Sequence, residues 1–86
     1  MTFRLRSDNL FWRESEGEVV ALDAAVSRYV LANPTGAVLW KRLGDGATEA
    51  ELVDTLCDRY GVSRDVAEVD VARFLDELSS RGLLDS

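Results

Sequence analysis

The chain contains no histidine and a single cysteine, Cys57, among its 86 residues. These scarcities exclude an intrachain disulfide, a zinc site built on cysteine and histidine, and a catalytic triad with a histidine base. Cys57 falls on the apolar face of a helical pattern and is interpreted as a small buried hydrophobe rather than a nucleophile. We therefore expect no enzyme activity, no cofactor and no metal ion.

Long apolar runs and an excess of positive charge are missing as well. No run approaches the ~20 apolar residues that a membrane-spanning helix needs, and residues 1–6 lack the apolar core of a signal peptide. The 10 basic and 16 acidic residues give a net charge of −6, which repels nucleic acid and anionic lipid. The sequence therefore predicts a cytoplasmic protein without a nucleic-acid or membrane partner.

The remaining composition is that of one small globular domain, which we predict to span 1–86. Hydrophobic residues make up 47% and charged residues 30%, far from the composition of a disordered chain. The first third alternates apolar and polar residues with the period of β-strands. We predict strands near 3–6, 10–15, 18–23 and 28–32. Their short connections favour an antiparallel meander of three to four strands over 1–32, with strand 28–32 at an edge.

From Asn33 onward the apolar period becomes that of α-helices. Asn33 is a good N-cap and Pro34 suits the first helical position of helix one. The segment from Thr48 to Glu51 has the capping-box pattern that begins a second helix. Ser63 is the expected N-cap of a third helix that runs to about residue 80. Three helices over 34–81 that cover one face of a small sheet define an α+β fold.

Two features admit a functional interpretation beside a structural one. On the third helix, Val66, Val69, Asp70 and Arg73 lie outside the stripe that buries the helix, as ordinary surface residues or as one wall of a groove. The edge strand 28–32 is either blunted by its arginine or able to pair with an extended peptide through β-augmentation. A groove beside an open edge would supply both backbone pairing and side-chain pockets.

Several segments together resemble the PqqD-like family, the recognition elements of ribosomal-peptide biosynthesis, and most closely its stand-alone leader-binding members from lasso-peptide clusters. The segments that carry the resemblance are 19–23, 29–35, 37–40, 45–46, 74–75 and 82–84. The resemblance implies a winged-helix-like domain that binds the leader of a precursor peptide as an added antiparallel strand beside 28–32, packed against the third helix. It also implies two partners, a separate cysteine-protease-type leader peptidase and a cyclase.

We predict on these grounds a non-catalytic module that recognises a precursor leader peptide and presents it to a modifying enzyme. The predicted peptide-binding residues come from the edge strand and the third helix: Arg28, Tyr29, Val30, Leu31, Ala32, Val66, Val69, Asp70, Arg73 and Phe74. One alternative is a precursor-peptide chaperone of pyrroloquinoline-quinone biosynthesis. A second is a winged-helix regulator that contacts DNA through Arg59, Arg64 and Arg73.

Overall fold

In the computed structural model, which describes residues 1–85, a three-stranded antiparallel meander packs against three α-helices, and a short two-stranded pair lies outside the meander. The strands and helices are β1 (Thr2–Phe3), β2 (Leu10–Ser15), β3 (Glu18–Asp23), β4 (Arg28–Ala32), α1 (Pro34–Asp45), β5 (Ala47–Thr48), α2 (Glu49–Tyr60) and α3 (Arg64–Ser80). The predicted α+β class is confirmed.

Each helix begins at the cap that its sequence predicts. The Asn33 side chain accepts a hydrogen bond from the Gly36 N–H at 2.8 Å. Thr48 and Glu51 form the reciprocal capping box, with bonds of 2.8 and 3.1 Å. The Ser63 hydroxyl accepts the N–H three residues later at 3.3 Å. Since a capping side chain satisfies an otherwise unpaired backbone donor, these residues determine where each helix starts.

The meander has the strand order β2-β3-β4, so β4 lies at an edge as predicted. The register pairs Val19 with Ala32 and Asp23 with Arg28. Val19 and Ala21 are buried under the helices, and alternate side chains of a strand point to opposite faces. The inner face of β4 is therefore the face of Arg28, Val30 and Ala32.

The first strand differs from the prediction. It is shorter than 3–6 and pairs with β5 instead of joining the meander. Leu5 follows it as an isolated bridge to Leu84, and the Leu5 N–H donates to the Leu43 carbonyl at 3.1 Å. The physical reason is that Leu5, only 5% exposed, packs into the core between α1 and the C-terminal segment. A local alternation pattern indicates a strand but does not identify such a distant partner.

The core is centred on Trp40, which is fully buried together with Leu43, and Leu83 folds back onto it. Trp12 meets Trp40 edge to face, with ring centroids 6.2 Å apart. Not all aromatic residues are buried, however. Phe11 is 62% exposed on the outer face of the sheet, which no helix within residues 1–85 covers. Within residues 1–85, no helix is long and apolar enough to cross a membrane.

Candidate functional site

A cavity of about 160 Å³ opens where the end of β4, the start of α1 and the C-terminal half of α3 come together. Its wall on the strand side is formed by Val30, Leu31 and Ala32. On the opposite side it is lined by Phe74, Glu77 and Leu78 of α3 and by Arg81, the residue that follows the helix. A space of this size accommodates one apolar side chain, since cavities of about 150 Å³ bind benzene.

Gly36 keeps this cavity open at its α1 end. A Cβ atom at this position would lie 3.3 Å from Asn33 Oδ1, 3.4 Å from Ala32 Cβ and 3.5 Å from Phe74 Cε1. The missing side chain allows the first turn of α1 to approach both β4 and α3 closely. Trp40 also lines the cavity, and among the described residues its buried indole N–H has no hydrogen-bond partner.

A second cavity of about 510 Å³ continues along β4 toward its N-terminal end. Val30 and Arg81 line both cavities, so the two form one continuous depression, which we call the β4–α3 groove. Ala32 and Phe74 lie at one end, and Arg28 and Ser80 line the other. Helix α3 therefore runs antiparallel to β4 along the groove.

Among the charged side chains that line the groove, Asp23 and Arg81 have partners of opposite charge, whereas Arg28 has none within residues 1–85. Asp23 accepts a hydrogen bond from the Arg6 guanidinium at 2.5 Å, which holds the pKa of that carboxyl below its usual value. Arg81 donates to the Glu77 carboxylate at 3.1 Å on the surface of α3. Within residues 1–85, Arg28 forms no ion pair and no side-chain hydrogen bond. The Arg28 end of the groove thus carries positive charge that the protein itself does not neutralise.

The five predicted strand residues lie together on β4, but on two faces. Val30 and Ala32 point their side chains toward the groove, as does Arg28 at its far end. The side chains of Tyr29 and Leu31 point to the outer face and are 72% and 76% exposed. Because no strand within residues 1–85 pairs with the free edge of β4, the backbone groups on that edge remain available for pairing.

The predicted residues of α3 are divided along the helix. Phe74 lines the groove, whereas Val66, Val69, Asp70 and Arg73 lie on the exposed N-terminal half and line neither cavity. The predicted exposure of the two valines is confirmed, at 50% and 55%.

Helical geometry nevertheless relates the two halves of α3. At about 100° per residue, Val66 and Asp70 share one flank of the helix with Phe74, Glu77 and Arg81. The flank of α3 that lines the groove therefore continues past Ala32, beyond the end of β4.

Sequence reasoning missed ten of the described residues that line the groove, among them Gly36, Glu77, Leu78 and Arg81. The last three follow Phe74 by three, four and seven positions, which is the spacing of one helix face. That spacing could have identified them once Phe74 was assigned to the site. Gly36 has no comparable signal, because a glycine in a helix indicates a close contact without naming the neighbour.

Metal binding has no support from the arrangement of side chains. In the part of the chain that the structure describes, no three or more histidine, cysteine, aspartate or glutamate residues are grouped to hold a metal ion. What the site offers is backbone hydrogen-bonding groups beside an apolar cavity.

Comparison with known proteins adds a family match and two structural relatives. The sequence model of the family described as Coenzyme PQQ synthesis protein D (PqqD) matches residues 18–84. The structure of TbiB1 in complex with the TbiA(beta) leader peptide is similar, with a TM-score of 0.88 and 30% identity over 96% of this chain and 95% of that one. The structure of lasso peptide synthetase B1 complexed with the leader peptide is similar too, with a TM-score of 0.84 and 31% identity over 98% of both chains. The comparison with curated proteins found no match.

Proposed function

This chain belongs to the PqqD family, and from that premise we propose that it is a non-catalytic module that binds the leader of a ribosomally made precursor peptide in lasso-peptide biosynthesis. The observation that carries the proposal is the unpaired edge of β4 beside the groove. The proposal is supported by the two structural relatives, each of which is a complex with a leader peptide.

Binding takes place by strand addition. An extended peptide pairs with the backbone of β4 and becomes the fourth strand of the meander, in the antiparallel direction that the rest of this sheet uses. Alternate side chains of the peptide point into the β4–α3 groove, where the apolar cavity beside Phe74 receives one of them. The backbone contributes affinity that is independent of sequence, and the groove contributes selectivity.

The remaining predicted residues of α3 extend this site. A peptide longer than the five residues of β4 continues past Ala32 along the flank that carries Val66 and Asp70, with Val69 and Arg73 at its outer margin. The peptide is ordered only on binding, so part of the interaction energy offsets the lost entropy. Affinity in the micromolar to nanomolar range, dominated by a few anchor residues, is the expected result.

The bound leader is then presented to other proteins of the pathway in the cytoplasm. A separate cysteine-protease-type leader peptidase is the proposed first partner, followed by the cyclase. The domain supplies no catalytic group in this scheme. The alternative in which the domain regulates transcription is disfavoured, because the net charge of −6 repels a phosphate backbone.

A nuclear magnetic resonance titration tests the proposal directly. The backbone amides of the labelled domain are followed while the leader of the precursor encoded beside this protein is added, with a scrambled leader as control. We expect saturable shifts in 28–32 and along α3, from 63–74 through to residue 81. Absence of shifts at high peptide excess, or shifts confined to α2, would overturn leader recognition at this site.

A further inference from the structure

We infer that the Arg28 end of the β4–α3 groove selects an acidic residue of the bound peptide, four positions after the apolar residue that enters the cavity at Ala32. This inference rests on the proposed function, because it requires a peptide strand on β4. It specifies the sequence that the site recognises.

The spacing follows from the register of the sheet. Ala32, Val30 and Arg28 lie on the inner face of β4, opposite Val19, Ala21 and Asp23 of β3. A strand added to the free edge extends each of these cross-strand rows by one residue. Its inward side chains therefore recur at every second position. In an antiparallel strand, the residue opposite Ala32 comes first and the residue opposite Arg28 comes four positions later.

The two ends of the groove differ in chemistry. At the Ala32 end the incoming side chain meets apolar groups, including those of Phe74 and Leu78. At the other end the lining adds the Arg28 guanidinium to that of Arg81, which lines both cavities. The Asp23 carboxylate there already accepts a hydrogen bond from Arg6. An apolar residue suits the first position and a carboxylate suits the second.

Arg28 is available for such a contact. Asp23, the residue of β3 that lies directly opposite Arg28, already accepts a hydrogen bond from Arg6. Arg81 is bonded to Glu77, but both side chains are more than half exposed, and an exposed pair of this kind contributes little stability. A carboxylate between Arg28 and Arg81 would gain charge-assisted hydrogen bonds from the first and could recruit the second.

A different role for Arg28 would be to blunt the sheet edge against aggregation. That role predicts no preference for any residue of a bound peptide. The two explanations are therefore separated by the sequences of the peptides that bind.

Selection from a phage-displayed library of random twelve-residue peptides provides the first test. We expect wild-type protein to enrich peptides with Asp or Glu four positions after an apolar residue. Arg28→Glu should enrich Lys or Arg at that same position. Arg13→Glu is the matched control, because Arg13 is an exposed arginine on the outer face of β2, and it should retain the acidic preference.

Calorimetry with one selected peptide and its Glu→Gln analogue provides the second test. The wild type should bind the analogue about tenfold more weakly, on the scale of one charge-assisted hydrogen bond. In Arg28→Gln, which avoids placing a second carboxylate beside Asp23, the two peptides should differ by less than about twofold.

The two tests distinguish a failure of this inference from a failure of the proposed function. Peptides that shift the β4 amides but show no acidic preference, or an unchanged preference in both Arg28 variants, overturn this inference and leave leader recognition standing. If no peptide is enriched, or the enriched peptides do not shift β4, the proposed function fails and the inference fails with it.

Discussion

Asp23 introduces a charge into the interior of the protein, where its side chain is only 4% exposed. Its Oδ1 accepts hydrogen bonds from the Arg6 guanidinium and from the Ala25 N–H, the latter at 3.1 Å. The same guanidinium donates to the Gly82 carbonyl at 2.8 Å. One ion pair thus connects β3, the N-terminal segment and the chain that follows α3, directly beneath the Arg28 end of the groove.

The Asp23 pair should make folding sensitive to acid. Its pKa is lowered from the ordinary value of 3.8, with the Arg6 hydrogen bond as the largest cause. The pair therefore stabilises the folded state above that value, and this contribution is lost as pH falls through the lowered pKa. We expect Asp23→Asn to be less stable than wild type at pH 7, and to lose less stability on acidification. Urea unfolding at pH 7 and pH 3 measures both.

The control for this experiment is Asp58→Asn, which removes one exposed carboxylate from α2 without affecting the Arg6 bond. Glu51, whose pKa is lowered by the Thr48 N–H, still contributes acid sensitivity in every variant. An acid-induced loss of stability as large in Asp23→Asn as in wild type would contradict the prediction.

Gly36 determines how closely α1 can approach the groove. Because a Cβ atom there would already touch Asn33, Ala32 and Phe74, a larger side chain must occupy the apolar cavity. We expect Gly36→Val to weaken leader binding at least about tenfold, the scale of one anchor residue. Calorimetry measures the affinity, and circular dichroism verifies the fold. Thr35→Val, which places the same side chain at the exposed neighbouring position, should bind as wild type does.

At the scale of elements, α3 has one face for the core and another for the ligand. Ala67, Val71, Leu75 and Leu78 are buried along one stripe, while Phe74 at its border is half-buried. The adjacent flank lines the groove in the C-terminal half and remains exposed in the N-terminal half. A single amphipathic helix can thus hold the domain together and present a binding wall.

A negative charge introduced on the exposed N-terminal half of α3 tests how far the bound peptide extends along this helix. Val66 is 50% exposed, so Val66→Asp should leave the fold intact. We expect it to weaken leader binding by about 1–2 kcal/mol, as for the loss of a binding hot spot. Ala72→Asp is the control, because it places the same charge on the opposite flank of α3, about 120° from Val66. Equal affinities of the two variants in calorimetry would confine the peptide to the C-terminal half.

At the scale of the whole molecule, the two ends of the chain are joined. The Arg6 N–H donates to the Leu83 carbonyl at 2.8 Å, and the Asp85 N–H donates to the Arg4 carbonyl at 2.9 Å. Leu5 bridges to Leu84 between these two bonds. This closure holds the segment after α3 in place, and with it the end of the groove that Arg81 lines.

Leu5→Ala tests the contribution of this closure to stability. The side chain is 5% exposed in the core, so its truncation leaves a cavity and should reduce the free energy of unfolding by about 2–4 kcal/mol. Met1→Ala is the control, since Met1 is 87% exposed and surface substitutions change stability by about 0.5 kcal/mol or less. Chemical denaturation compares the two variants. Similar unfolding free energies would show that the closure contributes little.

The local signals were the ones that predicted structure well. Asn33, Thr48 and Ser63 mark the starts of the helices because a cap acts within three residues of itself. The strand spanning 28–32 was assigned to an edge because short connections restrict how a meander can be arranged. Both depend on interactions between residues that are close in sequence. Phe74 was assigned to the site through the family resemblance, which implies a bound leader packed against the third helix.

What the sequence by itself determined is therefore the three strands of the meander, the three helices with their caps, and the position of β4 at the edge of the sheet. The tertiary structure alone decided that β1 pairs with β5, that Gly36 allows α1 to approach Phe74, and that Arg28 and Arg81 line one cavity. The physical reason is the range of the interactions. Caps and periodicity act over a few residues, whereas strand partners, cavities and unbalanced charges arise where segments distant in sequence pack together.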